Sequence, residues 1–261
     1  MPLEKQVKID PIRKRYYRPL DLVEMWAGGL FYVVAALSFA ALALDRQEYP
    51  RTYDSLHILF IVGVIFHFIV GIFIRLYLTP RAEDKRRQEL ISNSFGASLL
   101  HERTIGYYNN KQKLPFLRLG ASVLENSFFS KSISLEMAKN MRFKMMTYSI
   151  IWIFVALNRS SDLSLIAAAA QVLFSEELFA GWIRTEWSRT RFEGIYDELY
   201  QLMHNRRGNL ERKIRANILY IVLKYEAGKA YGGVNLSTGI FEKMNSSLTE
   251  EWNRISLTLN L

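Results

Sequence analysis

Long apolar stretches alternate with charged, periodic segments along the chain. The first apolar stretch runs from Met25 to Leu44 without a charge, and the second runs from Leu56 to Ile74, with His57 and His67 as its ionisable residues. An α-helix rises about 1.5 Å per residue, so about 20 apolar residues cross the roughly 30 Å hydrocarbon core of a bilayer. The pattern predicts a transmembrane hairpin over residues 25–74.

Two further apolar stretches are shorter. One runs from Met145 to Leu157, and the other begins at Leu163 and reaches about Trp182. Apolar runs of about 13 residues also occur as buried helices of soluble proteins. The polar turn from Asn158 to Asp162 favours a second transmembrane hairpin, over residues 145–182. The pattern therefore predicts four transmembrane helices.

Basic residues are concentrated in three segments. Lys and Arg number 6 in residues 1–24, 13 in residues 75–144 and 12 in residues 175–261, but only 2 in residues 45–55 and 1 in residues 158–162. Because cytoplasmic segments carry an excess of Lys and Arg, this distribution predicts that both termini and the middle segment are cytoplasmic. The net charge of +9 favours anionic partners such as lipid headgroups, nucleotides or nucleic acid.

The charged segments have helical patterns and little strand signal. They divide into an N-terminal arm over 1–24, a helical insert over 75–144 and a helical tail over 183–261. The predicted fold class is an all-α membrane protein with a helical cytoplasmic region. Helices are predicted at Arg81–Glu89 continuing the second span, at Phe116–Met146 with a cap at Ser127 or Ser130, at 183–203, at Leu210–Ala230 ending at Gly232-Gly233, and in a short stretch from Ser247.

No catalytic motif is found in the sequence. Phosphate-binding glycine loops, the G-x-S-x-G turn and the H-E-x-x-H zinc motif are all missing, and the chain contains no cysteine. Disulfides and thiolate chemistry are therefore excluded. We expect neither an enzyme nor a cofactor or metal site.

Polar residues within the apolar stretches have two interpretations. Gln171, Glu176 and Glu177 lie in the fourth stretch, where charges are costly and often face water or a partner. In the first interpretation, they line the pore of an oligomer. In the second, the hydrocarbon region ends near Phe174 and the two carboxylates face cytoplasmic water. His67 is likewise a functional intramembrane residue or a hydrogen-bonded packing residue.

The insert and the tail each contain a candidate oligonucleotide-binding cluster. Tyrosines stack on bases, amides bind base edges, and Lys or Arg binds phosphates. Alternatively, these residues form a surface turn and a solvated helix face. The candidate ligand-binding residues are Arg103, Tyr107, Tyr108, Asn109, Asn110, Lys111, Lys113, Arg206 and Arg207.

Three short motifs resemble those of the S-4TM family of pore-forming effectors. They are Asn93-Ser-Phe-Gly96, Tyr107-Tyr-Asn-Asn110 and Leu124-Glu-Asn-Ser-Phe-Phe129, followed by the third and fourth apolar stretches. The order of two spans, an insert, two spans and a tail is also similar, so the resemblance covers about residues 20–230.

The resemblance implies an effector of bacterial anti-phage defence that permeabilises the inner membrane. It further implies control by a cyclic or linear oligonucleotide messenger, made by a partner nucleotidyltransferase, that opens the pore or holds it shut. Because four spans are too few to enclose an aqueous pore, we expect a homo-oligomer, with a tetramer as the simplest choice. The alternatives are a non-conducting membrane anchor that recruits a soluble partner, and an enzyme acting on lipid.

Overall fold

The computed structural model describes residues 9–101, 104, 107–108, 110–158, 162–205 and 212–261, and this part of the chain is helical and contains no β-strand. The all-helical class predicted from the sequence is confirmed. Three short π-helical segments interrupt or extend the helices at Arg13–Tyr17, Ile74–Leu78 and Glu176–Ala180. The α-helices are α1 (Arg18–Ala43), α2 (Pro50–Phe73), α3 (Thr79–Phe95), α4 (Pro115–Leu157), α5 (Leu163–Leu173), α6 (Gly181–His204), α7 (Arg212–Gly232) and α8 (Thr238–Leu259).

Within the described residues, three helical stretches are long and apolar enough to cross a membrane. They are Arg13–Ala43, Pro50–Phe95 and Leu163–His204. α2 contains no buried residue, although its side chains are mostly apolar. Because large exposed apolar surfaces are rare on soluble proteins, these helices indicate a membrane protein.

The apolar stretch from Met145 to Leu157 is not among these three candidates. It forms the C-terminal end of α4, where Ile150 is 64% and Phe154 is 74% exposed. Its 13 residues, of which Thr147 and Ser149 are polar, follow directly on the charged residues Arg142 and Lys144, so no long uncharged window forms there. This end of α4 packs beside α5.

The membrane helix α2 continues into the charged helix α3. The π-helical segment Ile74–Leu78 joins them without a break, and α3 ends at Gly96, whose φ of +69° favours glycine. The apolar part of this long helix ends at Leu78. Membrane and extramembrane parts of the chain are therefore connected by one continuous helix.

α4 is a single helix of 43 residues. The cap predicted at Ser127 or Ser130 is wrong, because both serines lie inside the helix. The Ser127 hydroxyl donates to the Leu124 carbonyl at 2.9 Å, a local bond that does not interrupt a helix. The first half of α4 lies in the core of the protein, and the second half extends towards the spans.

We call the region formed by α3, the first half of α4, and α6, α7 and α8 the extramembrane domain. Its core is apolar, and Phe128 and Trp252 face each other there with ring centroids 6.0 Å apart. Gly120 allows close packing, since a Cβ atom there would lie 2.4 Å from Met203 Cε. Ile195 and Leu199 of α6 and Ile218 and Val222 of α7 are buried in this core, whereas Leu219 is 44% exposed.

The end of α7 agrees with the sequence, whereas the beginning of α8 does not. Gly233 follows α7 with a φ of +54°, as expected for a glycine that ends a helix. α8 begins at Thr238, nine positions before the predicted Ser247, because the Ser237 hydroxyl caps it by accepting from the Ile240 N–H at 3.4 Å.

Candidate functional site

A break in the helical chain after α5 precedes two acidic residues. α5 ends at Leu173, and Ser175 has an extended backbone with a ψ of 164°. The Ser175 hydroxyl accepts a hydrogen bond from the Leu178 N–H at 3.3 Å and so caps the π-helical segment Glu176–Ala180. Acidic residues are favourable in the first turn of a helix, so the break explains the local position of Glu176 and Glu177.

Glu176 is bound by arginines from two different helical stretches. Its Oε1 atom lies 3.3 Å from Nη1 of Arg75 and accepts a hydrogen bond from Nη1 of Arg184 at 2.7 Å. Arg75 follows α2, and Arg184 belongs to α6. The carboxylate therefore joins the first membrane hairpin to the stretch after α5. Sequence reasoning missed both arginines, because nothing in the pattern pairs them with Glu176.

Glu177 faces the intramembrane histidine of α2. Its Oε1 atom lies 3.6 Å from Nε2 of His67, beyond ordinary hydrogen-bond length. Nε2 of His67 is buried and has no hydrogen-bond partner among the described residues. If His67 were a hydrogen-bonded packing residue, Nε2 would have a hydrogen-bond partner. The described residues provide none.

These side chains line one cavity of about 860 Å³ between α1, α2, α5 and the end of α7. Gln171, Glu176 and Glu177, the three predicted pore-lining residues, all lie on its wall, together with His67 and Arg75. The structure thus brings together residues that the sequence separates by about a hundred positions. Conduction through this cavity stays a prediction.

The cavity reaches the extramembrane domain at a cluster of ion pairs. Lys229 of α7 donates to Oε2 of Glu83 at 2.7 Å and lies 3.1 Å from Glu226. Burial alone would lower the pKa of Lys229, but the carboxylates of Glu83 and Glu226 raise that pKa above its ordinary value. Lys229 is therefore charged, and it ties α7 to α3.

The predicted oligonucleotide-binding cluster of the insert is only partly accessible. The guanidinium of Arg86 lies 4.2 Å from the ring centroid of Tyr107, as in a cation–π contact. Tyr108 packs against the core of the extramembrane domain, and burial raises the pKa of its phenol well above the ordinary value. The Asn110 amide donates to Ser122 Oγ at 2.9 Å.

The two lysines of the cluster are more exposed than its two tyrosines. Lys111 and Lys113 are exposed, and between them Gln112 donates a hydrogen bond to the Asn260 carbonyl at 2.9 Å, so the insert and the tail meet here. The remaining predicted residues, Arg103, Asn109, Arg206 and Arg207, lie outside the described residues. Ligand binding by this cluster stays a prediction.

A buried charge beside the cluster was not foreseen. Glu89 of α3 is 5% exposed and receives a hydrogen bond from Arg86 at 3.0 Å, while its Oε1 atom has no partner among the described residues. Burial raises the pKa of Glu89 to about 7, more than the Arg86 guanidinium lowers it. In the sequence, Glu89 belongs to a charged run that is typical of a solvated helix.

In the part of the chain that the structure describes, no group of three His, Asp or Glu side chains is arranged to hold a metal ion. Comparison of the chain with family models, curated proteins and solved structures finds no match. The functional argument therefore rests on the cavity and on the charges around it.

Proposed function

We propose that this protein is a membrane-permeabilising effector in which several copies surround an aqueous pore. The observation that carries the proposal is the set of polar side chains on the cavity wall: Gln171, Glu176 and Glu177 face His67 and Arg75 between otherwise apolar helices. Polar groups at membrane depth are costly unless they pair or face water. Four spans are too few to enclose an aqueous pore, so the proposal requires several copies, and we take a tetramer as the assembly.

The proposed topology has four spans with both termini in the cytoplasm of a bacterium. Two contacts support an even number of spans, because Asp21 accepts a hydrogen bond from Thr238 at 2.8 Å and Arg13 pairs with Glu242. These contacts hold the start of α1 beside α8, near the C-terminus. The remaining span, third along the chain, is then the exposed apolar end of α4, paired with α5.

The proposed regulator is an oligonucleotide messenger, cyclic or linear, made by a partner nucleotidyltransferase. Lys111 and Lys113 provide exposed cations where the insert meets the tail. The resemblance of the three short motifs to those of the S-4TM effectors supports a role in anti-phage defence, in which permeabilising the inner membrane stops phage production. No catalytic step is proposed for this chain.

The test is ion flux from liposomes that contain the purified protein. Flux is measured without ligand, with cyclic oligonucleotides and with linear oligonucleotides, and we expect flux in at least one of these conditions. An increase in flux on adding an oligonucleotide means that the messenger opens the pore, and a decrease means that it closes the pore. Glu176→Gln with Glu177→Gln should change conductance or cation selectivity. The matched control is Glu250→Gln with Glu251→Gln, an adjacent acidic pair exposed on α8, which should change neither.

One observation favours a second function, a non-conducting anchor that recruits a soluble partner. α7 exposes an apolar face in the extramembrane domain, where Tyr220 is 65% and Leu223 is 60% exposed. Such a face is typical of a protein interaction site. Intact oligomers that show no flux in any ligand condition would favour this function over a pore.

A further inference from the structure

The cavity between the spans has two chemically different ends. Phe31 and Val34 of α1 and Phe60 and Val64 of α2 line one end, which is apolar. The other end, towards the extramembrane domain, is lined by ionisable side chains. Its volume of about 860 Å³ is within the range of about 300 to 1,000 Å³ that is usual for ligand sites. A cavity with one apolar end and one charged end fits an amphiphile that has an apolar chain and a charged headgroup.

The cavity opens laterally along α2. Val64, Phe68 and Ile72 lie on its wall and are also 40%, 65% and 43% exposed. Because α2 is one of the helices able to cross a membrane, this open side faces the hydrocarbon of the bilayer. A lipid can therefore enter beside α2 without passing through water.

The charged end has both signs in equal number. Among the described residues, four basic and four acidic ones line the cavity: Arg75, Arg87, Arg184 and Lys229, with Glu24, Glu83, Glu176 and Glu177. A wall without net charge does not select an anion, since recognition of anionic lipids relies on an excess of Lys and Arg. A headgroup that itself carries one positive and one negative charge matches this wall better.

Two polar atoms of this wall have no hydrogen-bond partner among the described residues, Nε of Arg184 and Nε2 of His67. Leaving a buried donor unpaired costs about 1–3 kcal/mol, so binding of a ligand that pairs with such a group is favoured. Phosphate oxygens are suitable acceptors for an arginine. Glu177, 42% exposed and beyond hydrogen-bond distance of His67, is a suitable acceptor for an ammonium group.

We propose that this cavity binds a zwitterionic phospholipid whose headgroup carries a phosphate and a primary ammonium. Arg75 and Arg184 bind the phosphate, Glu177 accepts from the ammonium, and the acyl chains lie against Phe31 and Phe60 and continue into the bilayer. This binding does not depend on whether the protein conducts ions.

The test is lipid retention measured by native mass spectrometry of the detergent-solubilised full chain, with phosphatidylethanolamine, phosphatidylglycerol and phosphatidylcholine added separately. We expect phosphatidylethanolamine to be retained most strongly. Arg75→Gln with Arg184→Gln should weaken its retention at least about tenfold, whereas Arg81→Gln, an exposed arginine of α3 that does not line the cavity, should not. Equal retention of all three lipids, or equal losses in both variants, would overturn the proposal.

A second pair of variants tests whether the cavity is occupied, without removing charge. Gly71 lines the cavity, and a Cβ atom added there meets nothing within 4 Å, so Gly71→Phe should fill the space and reduce lipid retention. Gly29→Phe is the control, because Gly29 is exposed on α1 in equally open space and lies outside the cavity wall. Lipid retention unchanged in Gly71→Phe, or displacement of the lipid by inorganic phosphate alone, would contradict a lipid site.

Discussion

Arg13 and Glu242 are 229 residues apart in the sequence, and Nη2 of Arg13 lies 3.0 Å from Oε1 of Glu242. The pair joins the segment before α1 to α8, near the C-terminus. Both side chains are partly exposed, so the pair itself stabilises the fold only weakly. The pair supports the proposed topology. A chain with both ends on one side of a membrane crosses that membrane an even number of times.

Labelling of single cysteines tests this topology. The chain contains no cysteine, so Tyr49→Cys, Asn158→Cys and Lys243→Cys can be made without removing native thiols. In spheroplasts, a membrane-impermeant maleimide should label positions 49 and 158, but it should label position 243 only after permeabilisation. Each variant is also labelled in detergent, as a control for reactivity. Protection of position 158 in spheroplasts would leave three spans and contradict a span at the end of α4.

The apolar spans and most helices of this protein were predictable from the sequence. Met25–Leu44 and Leu56–Ile74 are long and uncharged apart from histidine, so hydropathy alone identifies them as spans. The helix predicted over residues 183–203 is present as α6, and Ile195 and Leu199, four positions apart, are both buried on it, because a 3.6-residue period reflects local geometry.

Long-range contacts were not predictable in the same way. Gln171, Glu176 and Glu177 were identified from their cost within an apolar stretch, but Arg75 and Arg184 become their neighbours only through the packing of separate helices. The cap expected at Ser127 is wrong for a related reason. A serine caps a helix only where the helix begins. Here buried residues of α4 lie both before and after Ser127, so packing stabilises helix on both sides of this serine.

The raised pKa of Glu89 predicts a pH-dependent stability. Its folded-state pKa of about 7 exceeds the ordinary value of 4.5, so the folded state holds a proton that the unfolded state has lost between these pH values. Stability therefore falls as the pH rises from 4.5 to 7, by at most roughly 3 kcal/mol. Glu89→Gln should raise the unfolding temperature of the solubilised protein much more at pH 8 than at pH 5.

The control for this prediction is Glu250→Gln, which changes an exposed carboxylate of α8. It should shift the unfolding temperature little and equally at both pH values. If Glu89→Gln likewise shows one shift that is independent of pH, the carboxylate of Glu89 is not responsible for a titration near pH 7.

The exposed lysines of the insert predict the salt dependence of messenger binding. Each phosphate contact on a single strand contributes a slope of about 0.7 to the fall of log affinity with log salt. Lys111→Gln with Lys113→Gln should therefore reduce the slope by about 1.4 and weaken binding of the active oligonucleotide. Lys144→Gln with Lys243→Gln, which removes two exposed lysines elsewhere, is the matched control. Equal effects of both variants would assign binding to net charge alone.

The pair of Glu83 and Lys229 predicts how the extramembrane domain acts on the spans. α2 and α3 form one continuous helix, and Lys229 of α7 holds the α3 part of it at 2.7 Å through Glu83. Lys229→Met should leave Glu83 without its cation and destabilise the fold by about 1–3 kcal/mol, between the values for surface and buried pairs. Glu83→Gln combined with Lys229→Met should recover part of this stability.

The same two variants separate stability from coupling. If the continuous helix carries the messenger signal into the membrane, the double variant should bind the oligonucleotide with unchanged affinity, but its flux should respond to that ligand less than the wild type does. Titration and flux are measured on the same liposome preparation, and Lys224→Met, which removes the partner of Glu198 on the far side of α7, is the control. A double variant whose flux responds normally would show that the signal reaches the spans by another route, such as the pairing of Arg184 with Glu176.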